Sequence, residues 1–265
     1  MKNDVGALPW LAPGAPFPDT RHALDDPNGL LAIGSDLRPA TLLRAYRAGI
    51  FPWFSDDQPI LWWSPSPRLI LAPADFHYST SLRKLLRRDR FRFSIDQAFT
   101  KVVQACALVP RDGQAGTWIT DDMRVAYAQL HRLGHAHSIE VWHADELVGG
   151  LYGIHIGRMF FGESMFSLAA NASKAALALL CLLQPAHGID LIDCQMETSH
   201  LMSLGAHSVP RARFEQALRE RVGAPNDWSW PHAPAALAEY ARRYRLESTL
   251  AGERVLHPTA HTGPD

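Results

Sequence analysis

At 265 residues the chain is long enough for one large domain or two smaller ones around a substantial core. Hydrophobic residues make up 47% and charged residues 20%, an ordinary globular composition. The formal net charge of −1 argues against a generally nucleic-acid-like surface.

No apolar run approaches the roughly 20 residues that span a bilayer, so no membrane partner is expected. Cys106, Cys181 and Cys194 are too few and too scattered for a disulfide framework or a cysteine zinc site. The opening residues are broken by prolines and lack the core of a signal peptide, so a reducing cytoplasm is the expected compartment.

Residues 1 to about 30 are rich in Pro, Gly and Asp and read as an irregular lead-in. The segment 38–49 predicts a short helix, with Pro39 in its first turn, Leu42, Leu43 and Tyr46 as its apolar stripe and Gly49 as its stop. The Trp- and Pro-dense stretch that follows predicts loops and short strands. A basic helix is predicted over 81–92, capped by Ser79 or Ser81, with Leu82, Leu85 and Leu86 inward. Its six bases (Arg83, Lys84, Arg87, Arg88, Arg90, Arg92) against Asp89 give a local charge of about +5. Further helices are predicted over 94–109, with Phe99, Val102, Val103 and Cys106 on one side, and over 120–134, capped by Thr120 or Asp121.

From residue 136 the period changes to two. "HSIEVW", with Ile139 and Val141 alternating against Glu140, "LVGGLYGIHI" and "MFFGESMF" predict three antiparallel strands joined by tight turns. "NASKAALALLCLL" (171–183) predicts a helix, and "LIDCQ" a buried strand. Meander, helix, then strand is an α+β pattern. It divides the chain into a small N-terminal mixed domain at 1–75, a larger domain at 76–222 with its core at 136–222, and an extension at 223–265. In that extension one helix is predicted at 234–246, and partial disorder is expected.

The chemistry-bearing candidates are few. His131, His135 and His137 lack a carboxylate at metal-ligand spacing, so no metal is expected. "FFGESMFS" is no nucleophile elbow, and neither a phosphate-binding loop nor a dinucleotide fingerprint is present; no cofactor is expected. Trp53, Trp62, Trp63 and Trp118 lie beside Pro- or Gly-rich segments, and with the basic helix they suit a single-stranded RNA end, although core packing is the commoner fate of tryptophan. Strand alternation places Asp193 and Gln195 on one face. An Asp193 carboxylate that accepts from the Gln195 amide would leave the amide oxygen as an outward-facing acceptor; a strand-end pair that satisfies backbone groups is the plainer reading.

The ordered motifs "PNGLLAIGSDL", "AYRAGIFPWFS", "ILWWSPSPR", "TWI", "GHAHSIEVW", "LVGGLYG", "FFGESMFS", "NASKAAL", "LIDCQ" and "SLGA", from about residue 17 to 222, resemble the leucyl/phenylalanyl-tRNA–protein transferase family of bacterial aminoacyltransferases. The resemblance implies a GNAT-like (acetyltransferase-like) C-terminal domain. It also implies transfer of Leu or Phe, and more weakly Met, from leucyl-tRNA or phenylalanyl-tRNA to proteins with N-terminal Arg or Lys, which marks them for N-degron proteolysis. By position it makes Trp53 and Trp118 the platform for the terminal adenosine, with Tyr46 and Tyr127 nearby. Leu151, Phe160, Met165 and Ile192 would line the aminoacyl pocket. Glu163 would meet the cationic acceptor, and Gln195, held by Asp193, would take the proton of the attacking amine. Arg83, Lys84, Arg87 and Arg88 would hold tRNA phosphates. The chain departs from the family's usual residues at Ser35, Ser66 and Thr80.

Two other readings remain open on the residues. An acetyl-CoA N-acetyltransferase on the same fold needs a glycine-rich pyrophosphate turn before its helix, and "SMFSLAANASK" has no glycine. A non-catalytic tRNA-binding protein would leave Glu163, Asp193 and Gln195 without a role.

Overall fold

The computed structural model describes residues 8–87, 90–108, 118–225 and 230. Four short strands form a small sheet: β1 (Trp10–Leu11), β2 (Leu30–Gly34), β3 (Phe51–Pro52) and β4 (Leu61–Trp63), in the order β1-β2-β4-β3. Helix α1 (Pro39–Arg47) connects β2 to β3, with Pro39 in its first turn and Leu42, Ala45 and Tyr46 buried.

A seven-stranded sheet carries the rest. Its strands are β5 (Arg68–Leu71), β6 (Arg92–Ile95), β7 (Ala136–His143), β8 (Glu146–Ile156), β9 (Met159–Ser167), β10 (Leu191–Gln195) and β11 (His207–Val209). They lie in the order β11-β5-β10-β9-β8-β7-β6. The meander β7-β8-β9 is antiparallel, as its spacing predicts, and β10 runs parallel to β9. A parallel neighbour requires a crossover, which α5 (Ala172–His187) supplies. The α+β arrangement of meander, helix and strand is present in that order.

Helices cover both faces of this sheet. On one face α3 (Phe99–Leu108), α4 (Asp121–Arg132) and α7 (Arg211–Val222) pack with α1 and the small sheet into a core that includes Tyr46, Trp62, Phe99, Tyr127, Phe161 and Phe214. On the other, α2 (Thr80–Arg87) and α5 pack over Ile139, Val141, Leu151, Phe160 and Ile192. A short helix, α6 (Ser199–Met202), follows β10. Ser79 caps α2, its Oγ accepting from the Leu82 N–H at 3.3 Å, and Thr120 caps α4 in the same way.

Several expectations need correction. Residues 68–71, assigned to the N-terminal unit, form β5 inside the large sheet, and one core joins both units. The basic helix does not continue to 92, because Arg92–Ile95 pairs antiparallel with β7. Ser94 and Ile95 likewise leave the next helix, which starts at Phe99. Glu140 is fully buried and accepts from Ser94, Ser138 and the Gln97 and Ala98 N–H groups, because α3 and α4 cover the face that alternation would leave in water. The helix expected at 234–246 lies outside the described residues.

Gly153 shows how tightly the centre is built. A Cβ there would lie 2.2 Å from the Phe161 carbonyl oxygen and 2.5 Å from Cε1 of Phe160, whose ring lies over the glycine. Gly153→Ala should therefore destabilise the protein by about 1–3 kcal/mol, read as a lower urea midpoint at unchanged slope.

Candidate active site

The site forms where β9 and β10 depart from regular pairing. Tyr152 pairs with Ser164 and Gly153 with Gly162, which leaves Glu163 as an extra residue on β9. Next door, Asp193 pairs with Ile70 and Gln195 with Leu69, which leaves Cys194 extra on β10. Each is a bulge, and a bulge re-aims side chains at the end of a ladder. At Gln195 the backbone also turns left-handed, φ 63°, so the residue no longer obeys strand alternation.

The expected Asp193–Gln195 side-chain bond is replaced by a different one. The Asp193 carboxylate faces Arg68, which donates Nε to Oδ1 at 2.8 Å and Nη2 to Oδ2 at 2.6 Å; both residues are 1% exposed. Asp193 Oδ1 also accepts from the backbone N–H of Gln195 at 2.9 Å, an Asx turn that fixes the left-handed residue. The side-chain amide of Gln195 reaches the other way and donates Nε2–H to Glu163 Oε1 at 3.4 Å.

Glu163 is 8% exposed and held by two phenols. Tyr46 donates to Oε1 and Tyr127 to Oε2, each at 2.7 Å, and the two hydroxyls lie 2.6 Å apart. Three close oxygen contacts thus share two phenolic protons. A proton on Glu163 would complete the set, since a carboxyl group donates only when protonated. Burial pushes the Glu163 carboxyl up to about 7, with the Asp193 charge adding to the rise, while the two hydroxyls and Arg68 oppose it. Burial and the Glu163 charge likewise raise both phenols well above their usual range. Tyr46 and Tyr127 were expected beside an adenosine. They are 1% and 0% exposed, which leaves no ring face for a base, and their observed contacts are to Glu163.

Glu163 and Gln195 open onto a cavity of about 490 Å³. Leu151, Phe160, Met165 and Ile192 all line it, joined by Leu177 and Leu180 of α5. Trp53 and Trp118 stand at the same cavity. Trp53 is half-buried and packs edge-to-face on Trp63, with centroids 5.5 Å apart, and Trp118 is 9% exposed. Cys194 also lines the wall. Burial raises its thiol well above the ordinary range, so it is a neutral apolar contact rather than a thiolate nucleophile.

Arg83 and Lys84 are exposed on α2, whose Leu82 packs into the core beneath α5; Arg83 Nε donates to the Tyr78 carbonyl at 2.9 Å. The Arg87 side chain and Arg88 lie outside the described residues. His131 and His137 converge on Asp96 rather than on the cavity, with His137 Nδ1 2.7 Å from Asp96 Oδ2. Sequence reasoning missed Arg68, whose signal was available: an arginine entering the apolar run "LIL" needs a buried acid, and Asp193 was the acid within a predicted strand. It also missed Leu177 and Leu180, which read only as helix core.

Arg68→Ala would leave Asp193 buried and unpaired, a loss of about 3–5 kcal/mol. Urea unfolding should show it. A loss below about 1 kcal/mol would mean that the site stands without the pair.

The family model described as "Leucyl/phenylalanyl-tRNA protein transferase" matches residues 70–219, and the model for its N-terminal domain matches residues 35–66. A curated leucyl/phenylalanyl-tRNA–protein transferase of Teredinibacter turnerae is 52% identical over 233 residues, covering 88% of each chain. One of Bordetella petrii is 55% identical over 227 residues, covering 82% of this chain and 89% of its own. Among solved structures, a GCN5-related N-acetyltransferase from Kribbella flavida aligns at 10% identity and a TM-score of 0.33, over 64% of this chain and 60% of that one. On the two family matches and the sequence identities, the chain belongs to the leucyl/phenylalanyl-tRNA–protein transferase family of aminoacyltransferases.

Proposed function

We propose that this protein transfers leucine or phenylalanine, and more weakly methionine, from aminoacyl-tRNA to the α-amine of proteins that begin with Arg or Lys, in the cytoplasm, and so creates an N-terminus read by proteolytic machinery. The observation that carries this reading is the pairing of Glu163 with the Gln195 amide at an apolar cavity that two tryptophans share. Such a cavity takes Leu, Phe or Met side chains and resolves single methylenes weakly. Trp53 and Trp118 supply faces for the adenosine that carries the ester, and Arg83 and Lys84, with Arg87 and Arg88, supply salt-sensitive phosphate contacts.

An amide oxygen is too weak a base to hold a proton, so the roles divide. Gln195, oriented by its N–H bond to Glu163, presents its carbonyl oxygen to an N–H of the acceptor amine. The amine attacks the ester carbonyl, the C–N bond forms and the C–O bond to the ribose breaks. Glu163, with Tyr46 and Tyr127 behind it, takes the amine proton and returns it to the departing ribose oxygen. Asp193 and Arg68 hold Gln195 in position. Charge on Glu163 also favours approach of a cationic N-terminus.

The first test is transfer of labelled leucine from leucyl-tRNA to a protein beginning with Arg, beside a copy beginning with Ala. Label on the Arg protein alone supports the reading; no label on either, with tRNA bound, would favour the non-catalytic RNA-binding protein. Trp118→Ala should weaken binding of the charged 3′ end by about 1–3 kcal/mol. Glu163 accepts a proton only when deprotonated, so kcat/KM should rise with pH through about 7, together with the acceptor amine, which ionises near 7.7–8.0. Glu163→Gln should lower turnover about 10²- to 10⁴-fold and leave only the amine's ionisation in the profile. An unchanged profile would remove Glu163 from the proton path.

A further inference from the structure

The extension beyond residue 222 lies outside both family matches, yet one of its residues is core. Trp230 is 5% exposed and belongs to the cluster beneath α2 and α5. Its indole lies flat on the His137 ring, with centroids 4.3 Å apart and planes 12° apart. Its N–H donates to Nδ1 of His155 at 3.2 Å. His137 is itself held by Asp96 at 2.7 Å and by the Gly134 carbonyl at 3.1 Å. The indole thus sits in a slot with fixed walls on β7 and β8.

The third neighbour is Phe160, whose ring centroid lies 5.9 Å from that of Trp230. Phe160 lines the cavity and is 1% exposed. Gly153 leaves the space beneath its ring, so the sheet places no Cβ in its way. Trp230 lies beside Phe160 and is not among the residues that line the cavity. Close-packed interiors relax in part into a void when a large side chain is removed, and Phe160 is the cavity-lining side chain whose ring contacts Trp230.

We propose that Trp230 is a specificity-determining residue that acts through Phe160: it backs the Phe160 ring, and so sets the depth of the cavity that receives the donor's side chain. Trp230 itself touches no substrate and is a positioning residue. The inference rests on the reading of the cavity as the aminoacyl pocket. In that pocket it limits donor size at the far end, while the chemistry at Glu163 and Gln195 is left as it is.

The test uses the full-length chain and 3′-amide-linked aminoacyl-adenosines bearing leucine, phenylalanine or 2-naphthylalanine, which bind but cannot react. Wild-type protein should bind the first two and discriminate against the third. Trp230→Ala should narrow that discrimination about tenfold, chiefly by gain of naphthylalanine affinity. Trp230→Phe, which keeps a ring in the slot, should stay near wild type. In a Phe160→Leu background, Trp230→Ala should add little further change, because the two residues act as one unit. If Trp230→Ala melts below the assay temperature, Trp230→Leu, which partly fills the slot, should show the same shift at smaller size.

Equal weakening of all three analogues would mean that Trp230 only stabilises the fold, and would overturn the proposal. Unchanged affinities would overturn it as well. Failure of wild-type protein to bind any of the three would instead overturn the aminoacyl-pocket reading, and this inference with it.

Discussion

Everything at the centre of this molecule leans on Arg68 and Asp193. Both side chains are 1% exposed, and two charges so deep are tolerated only when their hydrogen bonds are filled. Two parallel N–H···O bonds fill them in part. The guanidinium also lies against Phe51 at 4.8 Å and Phe214 at 4.6 Å, and aromatic faces suit a weakly hydrated cation. One ion pair therefore ties β5 to β10 and brings in β3 and α7. The same carboxylate holds the backbone of Gln195 in a conformation that costs an L-residue about 1–2 kcal/mol.

A second constraint is the layering. The large sheet separates two cores, and a side chain on a regular strand faces one or the other. Glu163 escapes that choice by sitting on a bulge. It reaches Tyr46 and Tyr127 in one core and still opens onto a cavity whose walls, Leu151, Phe160 and Ile192, belong to the other. Gln195 escapes it through its own bulge and its left-handed turn. The polar centre is thus assembled where two adjacent strands abandon alternation side by side.

That is also where reading the sequence failed. Periodicity located α1, α4, α5 and the meander because each repeats its apolar residues at a period that only one structure satisfies. The same logic put Asp193 and Gln195 on one face, and a single extra residue, Cys194, undid it. No local pattern announces a bulge. The burial of Glu140 was not legible for another reason, since alternation says which residues share a face but not whether a helix covers that face. Arg92 was drawn into a helix by its charge, and strand pairing with Trp142 claimed it instead. The cavity walls on β8, β9 and β10 were identified through a family resemblance, and the α5 leucines were missed because a helix buried on several sides hides which residue meets a cavity.

The ring of Tyr46, Tyr127 and Glu163 has one member from each of three elements far apart in the chain: α1, α4 and β9. The two family matches divide between residues 66 and 70, with Tyr46, Phe51 and Trp53 on the shorter side. Evolutionary bookkeeping by domain would call that side an appendage. In the folded chain it is one wall of the cavity, since without it Glu163 would lose a phenol and the dry surroundings that lift its proton affinity towards neutrality. The two segments therefore make one structural unit around Glu163, and recombining either with a distant homologue's counterpart would alter the acidity of that carboxyl before it altered the shape of the sheet.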